Sequence, residues 1–219
     1  MGIAERKERQ RAELREQILA AARRIVLDEG FAGLTMRKIA DAIEYSAATI
    51  YLYFENREAI GLQLCRESFE HLVGYMAPAM QVADPRDRLI AIGRGYARFG
   101  FEHPEEYKLL FMTDSAFMEP VFAAEKQLDD VDDPGGRAFQ FVVDAVQTAA
   151  DAGAIVATDS ELIAETLWTA VHGVVSLTLT CREVLVSSAD ALVETVCTTL
   201  LRGLAPASGD VTPGSRSTS

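Results

Sequence analysis

Two short predicted helices joined by a tight bend restrict the fold of this chain more than any other feature. Thr35 and Ser46 each place a side-chain oxygen directly before an apolar-periodic segment, where such residues cap the first free N–H groups of a helix. We therefore expect one helix over Met36–Ile43, a bend at Glu44–Tyr45 and a second helix over Ala47–Phe54. Two helices joined by a turn of three or four residues, the second short and polar on its outer side, describe a helix-turn-helix.

The residues around this motif carry a family resemblance. From Ile18 to Leu64 the chain contains I-L-A-A-A, E-G-F, L-T-M-R-K-I-A and S-x-x-T-I-Y-x-Y-F, with a basic residue at Arg57. This stretch resembles the N-terminal DNA-binding domain of the TetR (tetracycline-repressor-like) family of bacterial regulators. The resemblance implies a domain that binds a double-stranded DNA operator. The family commonly has Gly-Val in the bend, whereas Glu44–Tyr45 stands here, so a non-glycine residue would carry any positive φ at an energetic cost.

The rest of the chain also predicts helices. Proline and glycine fall only at caps and breaks, and no stretch alternates apolar and polar residues as a half-buried strand would, so the fold class is all-α. A capping box at Thr158–Glu161 is expected to open a helix that runs to about Thr180. The other predicted helices run from about Arg11 to Glu29, Arg57 to Met80, Pro85 to Phe101, Pro104 to Met112, Glu119 to Leu128, Pro134 to Asp151 and Ala189 to Leu204.

Three segments follow from this pattern. We expect a three-helix DNA-binding domain with the helix-turn-helix at 1–57, a helical ligand-binding and dimerisation domain at 58–204, and a disordered tail rich in Gly, Pro, Ser and Thr at 205–219. The net charge is −12, yet residues 1–57 hold ten Lys and Arg against nine Asp and Glu. The acidic remainder disfavours non-specific contact with phosphate and confines DNA binding to one end of the chain.

Cysteine usage and hydropathy indicate the compartment. Three cysteines without metal-ligand spacing favour a reducing environment and argue against a disulfide framework. The N-terminus is charged rather than signal-like, and no apolar run of eighteen residues occurs. We therefore expect a soluble cytoplasmic protein without a membrane partner.

Small residues open the second helix of the motif, which is the helix that enters the major groove. Ala47, Ala48 and Thr49 can touch thymine methyl groups, and Thr49 adds one hydrogen bond, but none makes a bidentate base contact. Arg37, on the first helix, has the fork suited to guanine O6 and N7, and the resemblance places a base contact there. A phosphate contact or an ion pair with Asp41 at i+4 is an equally weighted alternative.

Further polar residues complete the predicted DNA contact. The resemblance places the Tyr51 hydroxyl on a phosphate with Tyr53 nearby, although Tyr51 would also serve as part of the small core. The remaining phosphate candidates are Thr35, Lys38, Ser46 and Arg57, of which Thr35 and Ser46 would be caps in any helix.

Apolar residues on the last two predicted helices exceed what one inward face needs. A single helix-turn-helix domain buries too little surface on DNA to select one sequence by itself. A homodimer on a near-palindromic operator is therefore expected. The TetR family forms a four-helix bundle across the dimer from its last two long helices. The resemblance therefore implies the same use for 160–180 and 189–204.

An effector site is expected in the second domain. Trp168, His172 and Gly173 resemble a Trp-x-x-x-His-Gly motif of some TetR-like C-terminal domains, and Trp168 and His172 share one helix face at i, i+4. They form either one wall of an effector pocket or ordinary core, and Gly173 would let another helix approach closely. Other pocket candidates, which would suit a small apolar effector or fill an ordinary core, are Phe69, Met76, Phe99, Tyr107, Phe111, Met112, Phe117 and Phe122.

Enzyme and metal signatures are absent from the sequence. It holds no G-x-S-x-G, phosphate loop or H-E-x-x-H, and we expect no cofactor. The three histidines have no spacing that implies a shared metal, and the acidic run 129–133 lacks the glycine and spaced ligands of a calcium loop. We interpret the chain as a homodimeric repressor released by a ligand. The alternatives are a ligand-dependent activator and an acidic all-α adaptor with a degenerate DNA reader.

Overall fold

The computed structural model describes residues 2–113, 134–157 and 159–206, and these residues form α-helices and no strand. The all-α prediction is therefore confirmed. The described α-helices are α1 (Ile3–Glu29), α2 (Met36–Ala42), α3 (Ala47–Tyr51), α4 (Arg57–Met76), α5 (Pro85–Glu102), α6 (Pro104–Phe111), α7 (Pro134–Asp151), α8 (Ser160–Thr180) and α9 (Ala189–Gly203). Short 3-10 turns lie at Phe31–Gly33, Ala77–Gln81 and Arg182–Val184.

The chain divides into two compact units. The first consists of Met1–Val73 and Glu102–Ala138, and the second of Gly74–Phe101 and Phe139–Ser219. The predicted domain division at residue 57 stays a prediction. The predicted helix at Glu119–Leu128, and the tail from Ala207 onward, lie outside the described residues.

The core of the first unit is built from helix faces with apolar spacing. Ile18 and Ala22 of α1, Ile39 of α2 and Ile50 of α3 are fully buried, with Leu34 between α1 and α2. This small three-helix core fixes α2 and α3 at an angle. The polar sides of both helices are left in solvent.

Helix ends in this unit differ from the sequence prediction in informative ways. α1 begins at Ile3 instead of Arg11, because no proline or glycine interrupts the charged segment. α3 ends at Tyr51, three residues earlier than expected, yet Phe54 is still buried after the helix. α4 ends at Met76, where a 3-10 turn containing Pro78 follows.

The bend between α2 and α3 holds a strained residue. Glu44 has φ 60°, the one positive φ among the described non-glycine residues. Its N–H donates to the Asp41 carbonyl at 3.4 Å, and the Tyr45 N–H donates to the Ala40 carbonyl at 2.9 Å. These two bonds form a Schellman motif with Glu44 in the left-handed position that glycine usually occupies. The expected positive φ at a non-glycine residue is thus present.

The second unit contains α5, most of α7, α8 and α9. A Cβ added at Gly93 would lie 2.8 Å from the Sγ of Cys197, and one added at Gly95 would lie 2.5 Å from the carbonyl oxygen of Tyr75. These two glycines therefore let the side chain of Cys197 and the backbone of Tyr75 lie close against α5. Nothing lies within 4 Å of a Cβ at Gly173, so the close approach expected there is not made within the described chain.

Helix α8 is the most apolar of the long helices of the described chain. The cap that opens α8 is Asp159, whose carboxylate accepts the Leu162 N–H at 3.0 Å, whereas the predicted capping box began at Thr158, which lies outside the described residues. By length and composition α8 is long and apolar enough to span a bilayer, as core helices of soluble proteins also can be, and its apolar window has a mean hydropathy of 1.4. Only 22% of that window is buried, so an apolar face of the helix is left uncovered by the described residues. The buried stripe of α8 is Ala164, Leu167, Val171 and Val175.

Candidate functional site

The caps of the helix-turn-helix are formed as the sequence predicts. The Thr35 hydroxyl oxygen accepts the Lys38 N–H at 3.1 Å, and the Ser46 hydroxyl oxygen accepts the Thr49 N–H at 3.1 Å. The Ser46 and Thr49 hydroxyls also lie 2.9 Å apart. Thr35 and Ser46 therefore have a structural role in the free protein, and any contact with DNA would add to it.

Arg37 is the most available cation of the motif. Its side chain is 89% exposed, and its Nε lies 3.9 Å from a carboxylate oxygen of Asp41, which is itself 72% exposed. An ion pair of this length between exposed groups contributes little free energy. The ion pair expected as an alternative is thus present, but it leaves the guanidinium fork in solvent.

Lys38 and Arg57 are held by the protein. The Lys38 ammonium pairs with Glu29. The Arg57 guanidinium donates to Glu58 at 2.8 Å and to the Leu34 carbonyl at 3.4 Å. It also lies 5.0 Å from the centre of the Phe31 ring. Arg57 therefore fastens the start of α4 to the small core, and its phosphate contact stays a prediction.

The outer surface of α3 exposes a tyrosine and small side chains. Tyr51 is 57% exposed, so its ring is not part of the core. Ala48 is exposed, and Ala47 and Thr49 are half-buried. Tyr53 is half-buried, with the Arg11 guanidinium 6.0 Å from its ring centre. Arg11, the residue at which the sequence analysis starts α1, therefore lies beside the motif.

A triad of polar side chains lies beside a small apolar cavity in the second unit, and two of its members, Tyr96 and Trp168, line that cavity. The indole N–H of Trp168 donates to the Tyr96 hydroxyl at 3.1 Å, and that hydroxyl lies 3.2 Å from Nδ1 of His172. The cavity beside Tyr96 and Trp168 measures about 30 Å³, which holds one or two water molecules. Its other walls are Met76, Leu89, Ile92, Gly93, Val142, Leu167, Val171 and Cys197.

Burial sets the protonation of two groups at this place. Burial lowers the pKa of His172, so the imidazole is neutral at pH 7. Burial, with a smaller contribution from Glu194 and an opposing one from Arg94, raises the pKa of the Cys197 thiol to about 11. Of these two groups, Cys197 lines the cavity, and its thiol is uncharged at neutral pH.

Two family descriptions match the chain, and together they cover both of its parts. Residues 18–64 match the family described as bacterial regulatory proteins, tetR family. Residues 89–200 match the tetracyclin repressor-like C-terminal domain, which is more than half of the chain. The chain belongs to the TetR family. It is a DNA-binding transcriptional regulator.

Individual relatives agree with this assignment. The transcriptional activator FasR of Mycolicibacterium smegmatis is 29% identical over 116 residues, 52% of each chain. The transcriptional repressor AcnR of Corynebacterium diphtheriae is 26% identical over 125 residues, 53% of this chain and 60% of that protein. The match thus spans 52% and 60% of the length of these two relatives. A TetR family regulator of Marinobacter aquaeolei has the same fold, with 24% identity, a TM-score of 0.70 and coverage of 90% of this chain and 98% of that one.

The predicted effector residues of this TetR-family chain fall into two groups. In the first unit the Phe111 ring lies 6.0 Å from the Phe69 ring and 5.0 Å from the Tyr107 ring. In the second unit Met76 lines the cavity with Trp168, while Phe99 packs edge-on against Tyr75 at 5.9 Å. Phe117 and Phe122 lie outside the described residues.

One residue of the triad was missed at the sequence level. Tyr96 belongs to a helix whose apolar spacing predicts core, and it is 5% exposed. Nothing in that spacing shows that its hydroxyl joins two residues more than seventy positions later. The i, i+4 spacing of Trp168 and His172 is a usable signal for their shared face, while the partner on α5 is given by tertiary packing.

Proposed function

We propose that this TetR-family chain is a homodimeric repressor that leaves a near-palindromic operator when a small apolar effector binds its second unit. The observation that carries the proposal is the exposed guanidinium of Arg37, placed on a capped helix-turn-helix. Such a fork matches guanine O6 and N7, and no side chain at the start of α3 offers a bidentate contact.

The contact surface on DNA is proposed to combine three kinds of residue. Arg37 reads a base, Ala48 and Thr49 touch base edges, and Tyr51 donates its hydroxyl to a phosphate. The exposures of Arg37, 89%, and Tyr51, 57%, support these roles. Lys38 and Arg57, which already have protein partners, would contribute through positive potential and positioning.

The dimer is proposed to form through the open faces of α8 and α9. Val171 and Val175 are buried in their own chain, whereas Leu177 is 49% exposed and Leu162 is 56% exposed. A helix with this much apolar surface in water needs a partner, and a second copy supplies the same surface in return. Gly173, with open space around it, would let the partner helix approach closely.

The effector is proposed to enter beside the triad of Tyr96, Trp168 and His172. A cavity of about 30 Å³ is far below the roughly 300–1,000 Å³ of a typical ligand pocket, so binding requires the walls to move apart. Trp168 is 36% exposed and forms the wall nearest to solvent. An effector that enlarges the cavity would shift the conformational population by its preference for the open state.

A ligand-dependent activator is the second candidate function. The relatives include one named activator and one named repressor, so both modes of regulation occur among them. The same residues would bind DNA and effector in either case. Operator binding by the effector-free protein favours the repressor, whereas binding that requires an effector favours the activator.

Selection of bound sequences from a random duplex pool tests the proposal. The wild type should enrich a near-palindrome, and Arg37→Ala should relax one position in each half-site, with a loss of about 1–3 kcal/mol for the preferred base. Arg202→Ala, an exposed arginine at the end of α9, is the matched control and should keep the wild-type motif. An unchanged motif with uniformly weaker binding would show that Arg37 contacts phosphates and not a base. Absence of enrichment with and without candidate effectors would overturn the proposal in favour of an adaptor.

A further inference from the structure

Two of the three histidines lie together in the first unit, although they are far apart in the sequence. His71 lies near the end of α4, and His103 is the residue before α6. Their ring centres are 4.2 Å apart, with an angle of 59° between the ring planes. This approach brings two nitrogen ligands to one place, which the sequence spacing alone does not predict.

A carboxylate faces both imidazoles. The two oxygens of Glu106 lie 3.2 and 3.3 Å from Nδ1 of His71. One of them lies 3.6 Å from Nδ1 of His103, which stands three residues earlier at the start of the same helix. Both imidazoles thus lie within 4 Å of this carboxylate. The three side chains therefore form one cluster.

We propose that His71, His103 and Glu106 bind a divalent transition-metal cation of the Zn²⁺ class. Two imidazoles and one carboxylate are the protein ligands of an open three-ligand zinc site, in which water or a further ligand completes the coordination. One ligand atom from each residue lies within 4.8 Å of the other two. Ligand atoms about 2.1 Å from a tetrahedral metal are roughly 3.4 Å apart, so the ligand atoms need to approach one another by at most about 1.4 Å to complete the set.

The surroundings of the cluster suit a zinc-like ion better than a hard cation such as calcium. They also suit an open site better than a closed structural one. Side-chain exposure is 40% for His71, 31% for His103 and 16% for Glu106, so an ion can reach the cluster from solvent. Imidazole nitrogens favour zinc and its neighbours, whereas calcium and magnesium prefer oxygen ligands. The bound ion would tie α4 to α6 inside the compact unit that also contains the helix-turn-helix.

Zinc titration of the full chain, with any affinity tag removed and against a chromophoric chelator, tests the site without DNA. The wild type should bind one Zn²⁺ per chain. His71→Gln, His103→Gln and Glu106→Gln should each weaken binding by about tenfold or more, because each removes one of three ligands. His172→Gln is the matched control, since it removes the third histidine, which lies in the second unit, and it should bind zinc as the wild type does.

The experiment must distinguish a metal-binding site from a cluster in which histidine and glutamate only form hydrogen bonds with each other. Thermal melting in the presence of chelator checks that each variant folds, and one that does not is replaced by the Ala substitution at the same position. Co²⁺ loaded in place of Zn²⁺ should give visible absorption bands that the Glu106→Gln variant loses. The proposal is overturned if the wild type binds no zinc at tens of micromolar, or if all three variants retain wild-type affinity. Operator selection is a separate experiment, so failure here leaves the proposed function standing.

Discussion

The backbone N–H of Tyr45 donates to the carbonyl oxygen of Ala40 at 2.9 Å, and this bond closes the end of α2 around Glu44. The bend of the helix-turn-helix is therefore made by backbone geometry and needs no glycine. Its cost is the positive φ at Glu44.

Glu44→Gly is expected to stabilise the protein by about 0.5–1 kcal/mol. Glycine removes the steric cost of a left-handed residue, and part of the gain is offset by the greater freedom of glycine in the unfolded chain. Urea unfolding at fixed protein concentration measures the change. Glu44→Ala removes the same carboxylate while keeping a Cβ at positive φ, so it should give no gain. Equal stability of the two variants would show that φ at this residue carries no strain.

Tyr51→Phe is expected to weaken operator binding about 10- to 100-fold without changing the preferred sequence. The substitution removes one hydroxyl hydrogen bond to a charged phosphate in each half-site and keeps the ring. Fluorescence anisotropy with a labelled operator measures the affinity. Tyr45→Phe is the matched control, because Tyr45 is 47% exposed in the bend and has no proposed phosphate. A loss at Tyr45 equal to that at Tyr51 would place the phosphate contact elsewhere on the motif.

His172→Gln is expected to make the stability less sensitive to acid. Because burial lowers the folded-state pKa of His172, the unfolded chain takes up a proton first as pH falls below the ordinary histidine pKa of 6.5. The stability contributed by neutral His172 is therefore present above pH 6.5 and is lost as pH falls through the lowered folded-state pKa. Thermal melting at pH 7.5 and 5.5 should show a smaller drop for His172→Gln than for the wild type. His71 and His103 are common to both proteins, so the difference reports His172, and identical drops would contradict the assignment.

Leu177→Arg is expected to shift the protein from dimer to monomer. The substitution places a charge on the open apolar face of α8, where a partner helix would have to bury it. Sedimentation velocity over a concentration series measures the shift. Val186→Arg is the control, since Val186 is fully exposed in the connection between α8 and α9. A wild type that is monomeric but floats with lipid vesicles would assign the apolar face of α8 to a bilayer instead.

Gly95→Ala is expected to destabilise the protein by about 1–3 kcal/mol. The new Cβ would meet the Tyr75 carbonyl oxygen at 2.5 Å, and backbone cannot yield as a side chain can. Gly173→Ala adds the same methyl group to a helix with open space around it, so it should be neutral or slightly stabilising in the monomer. Thermal unfolding of both variants in the Leu177→Arg background excludes effects of association. Comparable losses would mean that the space at Gly173 is occupied within one chain.

Local signals predicted most of the fold. Thr35 and Ser46 cap α2 and α3 as expected, because a cap needs only an oxygen at a helix start. The proline signals at Pro85, Pro104 and Pro134 likewise mark the first residues of α5, α6 and α7. At α8 two adjacent residues could both cap, and sequence alone did not rank Asp159 above Thr158.

Residue spacing did not predict the contacts between residues that are far apart in the sequence. Periodicity places Tyr96 on an apolar face but does not show the hydroxyl shared with Trp168 and His172. In the same way, the two histidines of the first unit meet because α4 and α6 pack together, at a separation of thirty-two residues that no motif encodes. Such sites depend on which helices become neighbours, and a sequence read in windows does not contain that information.

Cys197 gives the cavity a chemical character of its own. The thiol is 2% exposed and has a pKa of about 11, so almost none of it is thiolate at neutral pH. Oxidants and electrophiles react with the thiolate, which makes this sulfur a poor sensor of either. The effector proposed to enter beside Cys197 would therefore be recognised by its shape and its hydrogen bonds, and it would leave without having formed a covalent bond to this sulfur.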